Sequence, residues 1–334
     1  MVLVIGIMSK INARLLKTAL ALLLVCGHPT EARCEEPLCR IAAGSCNKQD
    51  LPQPLWSSIL TFKPDLWIWL GDNIYGDTDE MDELEAKWSE QKNNPGYRKL
   101  ITTCPVEGIW DDHDYGRNDA GREYEFKKDS QRLFLDFLGE PPKSPRRAQS
   151  GIYAARTFGP EGGRVCLILL DTRTHRGAPR ADDEILGEEQ WEWLEKTWES
   201  SKADVHIICS GSQILPTEHR HEKWSDYPSS RDRLLKLLGS SRKSGVVLLS
   251  GDRHFAEISR IENPGSGQAL HELTTSGLTH SYRNFRGEKN SLRLGEPFAE
   301  LNFGTVMIDW DKRQIELAIR NAQGEKKQTV SVPF

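Results

Sequence analysis

Carboxylates and histidines follow four apolar segments of the sequence, at the point where each segment ends. The segments and the residues after them are 65–70 with Asp72, 106–110 with Asp112 and His113, 165–170 with Asp171, and 245–250 with Asp252 and His254. A single aspartate after a strand is most often a helix cap or a turn residue. Four strand ends with such residues are more than helix capping alone explains. Carboxylates that converge at one place repel one another unless cations neutralise them. The pattern therefore predicts a metal site.

The apolar segments themselves have the composition of buried strands in an α/β fold. Nearly continuous runs such as VCLILL and GVVLLS are typical of strands that are covered on both faces. Between the runs, apolar residues recur at helical spacing, which predicts helices over 187–201 and 229–239. Because ligand sites in α/β sheets lie beyond the carboxyl ends of the strands, we expect the polar residues to meet at one edge.

Composition and charge exclude several classes of protein. The 334 residues are 37% hydrophobic and 28% charged, which excludes a membrane bundle, a collagen-like fibre and a disordered chain. The net charge is −5, and the basic pairs Lys127-Lys128 and Arg146-Arg147 are short and scattered, so we expect no nucleic-acid-binding module. No repeat or low-complexity linker divides the sequence, and a single domain is expected over 35–334.

The N-terminal segment predicts export. Three basic residues precede the apolar run 18–26, which is followed by a polar segment with small residues. This pattern is typical of a signal peptide, here expected over 1–32 with cleavage near Ala32. The run is shorter than the roughly 20 apolar residues of a transmembrane helix, so no stable membrane span is expected after cleavage. An uncleaved anchor and a lipid anchor at Cys26 are the alternatives.

The order of the polar motifs resembles the calcineurin-like metallophosphoesterase superfamily, and its PhoD-like alkaline phosphatases in particular. The segments GDNIYGD, DDHD at 111–114 and GDRH at 251–254 stand where the superfamily has its GD, GNH[DE] and GHxH blocks. The usual DxH is absent and Gly44-Ser45-Cys46 takes its place, while Asp252 replaces a histidine. Both departures are similar to PhoD-like enzymes. The resemblance implies a four-layer α/β/β/α sandwich of two mostly mixed β-sheets.

The same resemblance implies a ferric ion and calcium as cofactors. The implied ligands are Cys46, Asp72, Tyr75 and His254 for iron, with Asp72 bridging to calcium, and Asp112 and Asp252 for calcium. A thiolate and a phenolate suit a trivalent iron, whereas oxygen ligands suit calcium, and other divalent metals are an alternative. Taken singly, Cys46 also fits a small buried residue, Tyr75 a packing aromatic and His254 a hydrogen-bonded loop residue.

The activity implied by the resemblance is hydrolysis of phosphate esters by attack of a metal-bound hydroxide. His113 stands at the position of the general acid, Asp114 is expected to orient its ring, and Arg253 or Arg173 is expected to hold a phosphate oxygen. Alternatives are a phosphodiesterase acting on phospholipids or cell-envelope phosphopolymers, and a non-catalytic metal- or phosphate-binding protein. The polar stretches 77–100 and 278–298 are expected to be loops that form the substrate rim.

Overall fold

Strands of two β-sheets alternate with helices along the chain, as the apolar segments predict. The computed structural model describes residues 36–179, 183–240, 243–262, 267–282, 284–285 and 287–334. The expected signal segment 1–32, including Cys26 and Ala32, lies outside the described residues. Among the helices of the described ranges, none has both the length and the apolar character needed to cross a membrane.

The bounds of the elements are as follows. The strands are β1 (Arg40–Gly44), β2 (Leu66–Leu70), β3 (Val106–Ile109), β4 (Ala154–Phe158), β5 (Val165–Leu169), β6 (Val205–Ser210), β7 (Val246–Ser250), β8 (Ala256–Ile261), β9 (Leu270–Thr275), β10 (Arg293–Phe298), β11 (Asn302–Asp309), β12 (Gln314–Asn321) and β13 (Lys326–Pro333). The helices are α1 (Trp56–Phe62), α2 (Met81–Asn93), α3 (Pro95–Leu100), α4 (Asp112–Tyr115), α5 (Lys127–Leu138), α6 (Glu188–Ser200) and α7 (Pro228–Gly239). Two 3-10 turns lie at Pro145–Arg147 and Trp224–Asp226.

Both sheets are mixed, and each contains a block of parallel strands. The first sheet has the order β13-β12-β11-β1-β2-β3, in which β1, β2 and β3 are parallel. The second sheet has the order β10-β8-β9-β7-β6-β5-β4, in which β5, β6, β7 and β9 are parallel. The remaining pairs are antiparallel.

The two sheets form the middle layers of a four-layer sandwich, which confirms the expected fold. On the outer face of the first sheet, Trp67 and Trp69 pack edge-on against Trp56 of α1. Alternate residues of the second sheet enter the core between the sheets or a second core under α6 and α7. The predicted helices 187–201 and 229–239 are therefore found as α6 and α7, with their apolar faces buried.

One sequence expectation about the rim is wrong. Residues 77–100 were expected to form a polar loop, but most of them form α2 and α3. In α2, only Leu84, Trp88 and Gln91 are buried, at spacings of four and three residues on one face. Because most residues of α2 are charged or polar, these three buried positions give only a weak helical pattern in the sequence. The second stretch, 278–298, also contains an element, because its end forms the edge strand β10.

The carboxyl ends of the parallel strands of the two sheets lie next to one another. Ser45 Oγ, after β1, donates to Thr275 O at the end of β9 over 2.9 Å. Gly251, after β7, lies so close to the first sheet that a Cβ there would be 2.6 Å from Leu70 O. Glycine permits this contact between the ends of β7 and β2. Residues that follow strands of either sheet can therefore share one site.

Candidate metal centre

The turns after β1, β2, β3 and β7 bring most of the predicted ligands together. Cys46 follows β1, Asp72 follows β2, Asp112 follows β3, and Asp252 and His254 follow β7. Cys46 Sγ lies 3.4 Å from Asp72 Oδ2, although 26 positions separate them in the chain. The convergence at one sheet edge that the sequence predicts is therefore present.

A first group of donor atoms combines sulfur, oxygen and nitrogen. One ligand atom each of Cys46, Asp72 and His254 lies within 4.8 Å of the others. Tyr75 Oη joins this group, at 3.1 Å from His254 Nε2 and 3.4 Å from Asp72 Oδ2. Ligands of one ion at bond lengths of about 2.0–2.3 Å lie at such separations from one another. The four side chains can therefore surround a single cation.

A second group shares Asp72 with the first. Ligand atoms of Asp72, Asp112 and His113 also lie within 4.8 Å of one another. Asp72 consequently stands between two candidate positions, as a bridging carboxylate must. Asp252 lines the same cavity as Asp112. Burial raises the pKa of Asp252 well above its usual range, and the charges of Asp111, Glu222 and Asp112 outweigh the opposing charge of Arg253. The aspartates of this group offer oxygen atoms and His113 offers a nitrogen, but none of them offers sulfur.

Buried carboxylate oxygens without hydrogen-bond partners indicate that this site binds cations. Asp72 Oδ1 and Asp252 Oδ2 are buried and have no hydrogen-bond partner among the described residues. Burial, followed by the neighbouring Cys46 and Asp112, raises the pKa of Asp72 well above its usual range. Leaving such oxygens unpaired costs about 1–3 kcal/mol each, and more when they are charged. The residues present therefore fit a pair of metal ions.

The protonation of the first group agrees with this fit. Burial lowers the pKa of His254 to about 3, so its ring is neutral and can donate a lone pair. Burial raises the pKa of the Cys46 thiol to about 11 and that of the Tyr75 phenol well above its usual value. Both groups then carry protons until a cation displaces them.

The backbone of the site is strained at the ligand positions. Cys46, Asp72, Asp252 and His254 have φ values of 57°, 49°, 70° and 56°, in the left-handed region that disfavours side chains. Each such residue costs roughly 1 kcal/mol. Asp77 and Asp119 beside them are also left-handed, and only Lys63 and Arg313 among the other described non-glycine residues share this geometry. Strain is therefore concentrated in this centre.

His113 is held by Asp77, and not by Asp114 as the sequence suggested. His113 Nδ1 lies 2.7 Å from Asp77 Oδ1, and the ring stacks on Tyr75 at a centroid distance of 4.2 Å. Burial alone would lower the pKa of His113, but Asp77 and Asp112 raise it to about 8. The expected role of Asp114 is wrong because its oxygens accept from Asp111 N at 2.6 Å and from Asn73. Asp114 instead holds the turn that presents His113.

The two arginines expected near the phosphate have different positions. Arg173 is completely buried, donates to Asp111 Oδ1 over 2.6 Å and to Glu222 Oε2 over 2.6 Å, and cannot reach a substrate. Its alternative role as a phosphate clamp is therefore wrong. Arg253 lines the cavity in front of the centre, is paired with Glu288, and has a buried Nε without a partner among the described residues.

Sequence reasoning missed several residues that support the centre. His280 Nε2 lies 3.0 Å from Tyr75 Oη, and Ser276 Oγ lies 2.9 Å from Cys46 Sγ. Glu222 is fixed by Arg173 and Arg176 and forms, with Asp112 and Asp119, a third group of close carboxylates. None belongs to a quoted motif, since these residues lie in loops. Asp77, by contrast, was visible as the last residue of GDNIYGD.

A cavity of about 620 Å³ opens in front of the centre. Asp112, His113, Asp252 and His254 line its floor. Its walls come from segments that the sequence did not single out, 118–119, 176–179 and 220–226, with Tyr282 as the contribution of the predicted stretch 278–298. The arrangement can hold an anion against two cations with a histidine beside them.

Comparison with known proteins gives a family match over most of the chain. A family model described as PhoD-like phosphatase matches residues 41–316. Alkaline phosphatase D of Bacillus subtilis (strain 168) is 21% identical over 215 residues, which are 54% of this chain and 36% of the relative. The chain thus matches about a third of the length of that curated relative.

Solved structures share the arrangement of two mixed sheets flanked by helices. The structure of PhoD superposes with a TM-score of 0.72 at 16% identity, over 90% of this chain and 70% of that one. A dimetal phosphatase from Danio rerio gives a TM-score of 0.55 at 13% identity, over 90% of this chain and 100% of that one. The likeness to both structures is one of fold.

Proposed function

Because this chain belongs to the PhoD-like phosphatase family, we propose that it hydrolyses phosphate esters at a centre of two metal ions. The observation that carries the proposal is the position of Asp72. Its carboxylate is common to the group with Cys46 and His254 and to the group with Asp112 and His113. A carboxylate shared by two cations is the arrangement that dinuclear phosphate-transfer sites require.

We further propose ferric iron for the first position and calcium for the second. The thiol of Cys46 and the phenol of Tyr75 become anionic donors on losing their protons, and such donors suit a trivalent ion. Asp72, Asp112 and Asp252 supply oxygen atoms, which suit calcium. When bound, the two ions acidify a water molecule and neutralise the oxygens of the phosphate. Other divalent metals at the second position are an outcome of the metal analysis described below.

His113 has the position and the protonation state of an acid for the leaving group. It lines the cavity, and its pKa of about 8 keeps it largely protonated at neutral pH. Asp77 fixes Nδ1, so Nε2 is the atom free to donate a proton to the departing oxygen. Arg253, which lines the same cavity and is paired with Glu288, is the residue proposed to hold a phosphate oxygen.

The proposal is tested by metal analysis of the purified protein together with a panel of phosphate monoesters and diesters. We expect two metal ions per chain, one of them iron, and hydrolysis that chelation abolishes. The panel decides between a monoesterase and a diesterase. A protein that binds metal but hydrolyses neither class would instead be the non-catalytic binding protein.

Asp72→Asn is the decisive variant for the shared carboxylate. It should lose at least one ion and lower the rate at least a hundredfold, while Asp82→Asn on the exposed face of α2 should change neither. Full metal content and full turnover in Asp72→Asn would contradict the two-ion centre.

We also propose that the protein is exported, with cleavage near Ala32. The support is the basic and apolar pattern of residues 1–32 described from the sequence. N-terminal sequencing of the protein recovered from its source tests this. A mature chain that still begins at Met1 would favour an uncleaved anchor, and a lipid on Cys26 would favour the other alternative.

A further inference from the structure

The segment 217–226, which connects β6 to α7, forms one wall of the cavity and is fixed by ion pairs. Four side-chain contacts hold it: Glu218 with Lys289 at 2.7 Å, His221 Nε2 with Glu288 at 3.1 Å, Glu222 with Arg173 at 2.6 Å, and Lys223 with Asp226 at 3.0 Å. The partners lie in the turn after β5, at 288–289 and within the segment itself. The wall is therefore held in one position from several sides.

Arg220 is the exposed basic side chain of this segment, and it has no such contact within the described part of the chain. It is exposed and lines the cavity, and no carboxylate of the described residues lies within ion-pair distance of it. Apart from His254, which belongs to the first group of metal ligands, the other basic side chains of the cavity each have an acidic partner: Arg176 has Glu222, Arg253 and His221 have Glu288, and His113 has Asp77. A guanidinium without a partner, on a rigid wall, is available to a ligand without first breaking an internal contact.

The cavity has room for a ligand that reaches both sides. Its volume of about 620 Å³ is in the range of sites that hold whole small molecules rather than a single anion. Asp112, Asp252 and His254 of the metal centre line the floor, and Arg220 lines the wall. An ester whose phosphate lies at the metal centre would extend its alcohol portion into the remaining space.

We propose that Arg220 binds a second anionic group on the alcohol portion of the substrate, a carboxylate or a phosphate. The proposal rests on the proposed function, because it assumes that the scissile phosphate lies at the metal centre. The planar guanidinium presents two parallel N–H donors that match either anion. A charge-assisted contact of this kind is worth roughly tenfold to a hundredfold in affinity, and an exposed one lies near the lower figure. The protein would then select phosphate esters that carry an additional negative charge.

Two matched pairs of monoesters test this selection in the metal-loaded protein. In 3-phosphoglycerate a carboxylate replaces the hydroxymethyl group of glycerol 3-phosphate, and fructose 1,6-bisphosphate adds a phosphate to fructose 6-phosphate. We expect kcat/KM to favour the additional anion by about tenfold in at least one pair. The pair with the larger ratio identifies whether a carboxylate or a phosphate is preferred.

Substitution of Arg220 then assigns the selection to this residue. Arg220→Gln should reduce the ratio to near one, chiefly through KM, and Arg220→Glu should invert it. Arg98→Gln removes an exposed arginine of α3, away from the cavity, and should leave the ratio unchanged. Raising the ionic strength should lower the ratio in the wild type and not in Arg220→Gln.

The outcomes separate this inference from the proposed function. Wild-type protein that hydrolyses neither the monoesters nor the diesters of the panel would overturn both. Wild-type protein that hydrolyses diesters but none of these monoesters would overturn only the inference about Arg220. Wild-type protein that hydrolyses them with a ratio that Arg220→Gln leaves unchanged would overturn only the role of Arg220. The same holds if Arg98→Gln lowers the ratio as much as Arg220→Gln does.

Discussion

Tyr75 Oη and His254 Nε2 lie 3.1 Å apart, although 179 positions separate the two residues and they follow strands of different sheets. Neither sheet alone contains a complete set of donors for the first metal position. Cys46, Asp72 and Tyr75 come from the first sheet, and His254 comes from the second. The centre therefore depends on how the two sheets are packed.

Cys46→Ser tests the sulfur ligand. If the thiolate binds ferric iron, the variant should lose its visible charge-transfer absorption and most of its activity, because a hydroxyl is a poorer anionic donor. Iron content and the visible spectrum measure this. Cys209 is a buried cysteine of β6 that has no polar partner among the described residues, so Cys209→Ala is the control and should lose only stability. A Cys46→Ser protein with full iron and full turnover would remove Cys46 from the ligand set.

His113→Ala tests the acid. Removing a general acid costs roughly a hundredfold to ten-thousandfold, and the loss should shrink for nitrophenolate leaving groups, which need no proton. Metal content should stay near that of the wild type. Equal losses for good and poor leaving groups, or loss of metal, would show that His113 is a ligand or a structural residue instead.

Asp77→Asn tests whether Asp77, rather than the predicted Asp114, is the carboxylate that holds His113. Without the carboxylate, the pKa of His113 should fall from about 8, so the histidine loses its proton at lower pH. The alkaline decline of kcat for poor leaving groups should then begin at lower pH than in the wild type. An unchanged profile would contradict a role for Asp77 in holding the protonated ring.

Asp252→Gly tests whether the backbone strain serves the metal. Glycine adopts the φ of 70° found at Asp252 without cost. The free energy of unfolding of the metal-free variant should therefore be about 1 kcal/mol higher than that of metal-free wild type, whereas its metal affinity should fall. Lys63→Gly, at the left-handed end of α1, should gain stability similarly with metal affinity unchanged. Denaturant unfolding with and without metal measures both, and a destabilised metal-free Asp252→Gly would contradict the assignment.

Glu140→Gln tests a buried ion cluster distant from the centre. Glu140 accepts from Arg156 at 2.8 Å and lies 3.4 Å from Arg146, whose side chain is 2% exposed. Burial alone would raise the pKa of Glu140, but Ser144 and the two arginines lower it overall. Its contribution is therefore complete above its ordinary pKa of 4.5 and is lost as the pH falls through the lower folded value.

The expected cost of Glu140→Gln is roughly 2–3 kcal/mol of unfolding free energy at pH 7, since two arginines lose a partner. The difference from wild type should diminish below about pH 4. Glu161→Gln, at a position 92% exposed, should change stability little at any pH. A difference that is constant with pH would contradict the ion-pair origin.

The sequence sufficed for the fold and for most of the convergence at the centre. Apolar runs that end in Asp72, Asp112 and Asp252 predict both the sheets and the edge at which their ends meet. The partner of His113 could not be predicted, because Asp114 is its neighbour in the same motif whereas Asp77 lies 36 positions away in GDNIYGD, and only the folded turns decide between them. Glu222 and His280 lie in loops whose positions depend on packing between distant segments. The local sequence does not predict those positions.

The distribution of the ligands along the chain has a consequence for the biosynthesis of the protein. The first donors, at Cys46 and Asp72, emerge from the ribosome early, but His254 and the supporting Ser276 and His280 follow only after most of the chain has been made. A nascent chain therefore exposes a thiol and carboxylates long before it can enclose an ion with them. Selective loading of the metals must therefore await synthesis of these late residues and packing of the two sheets.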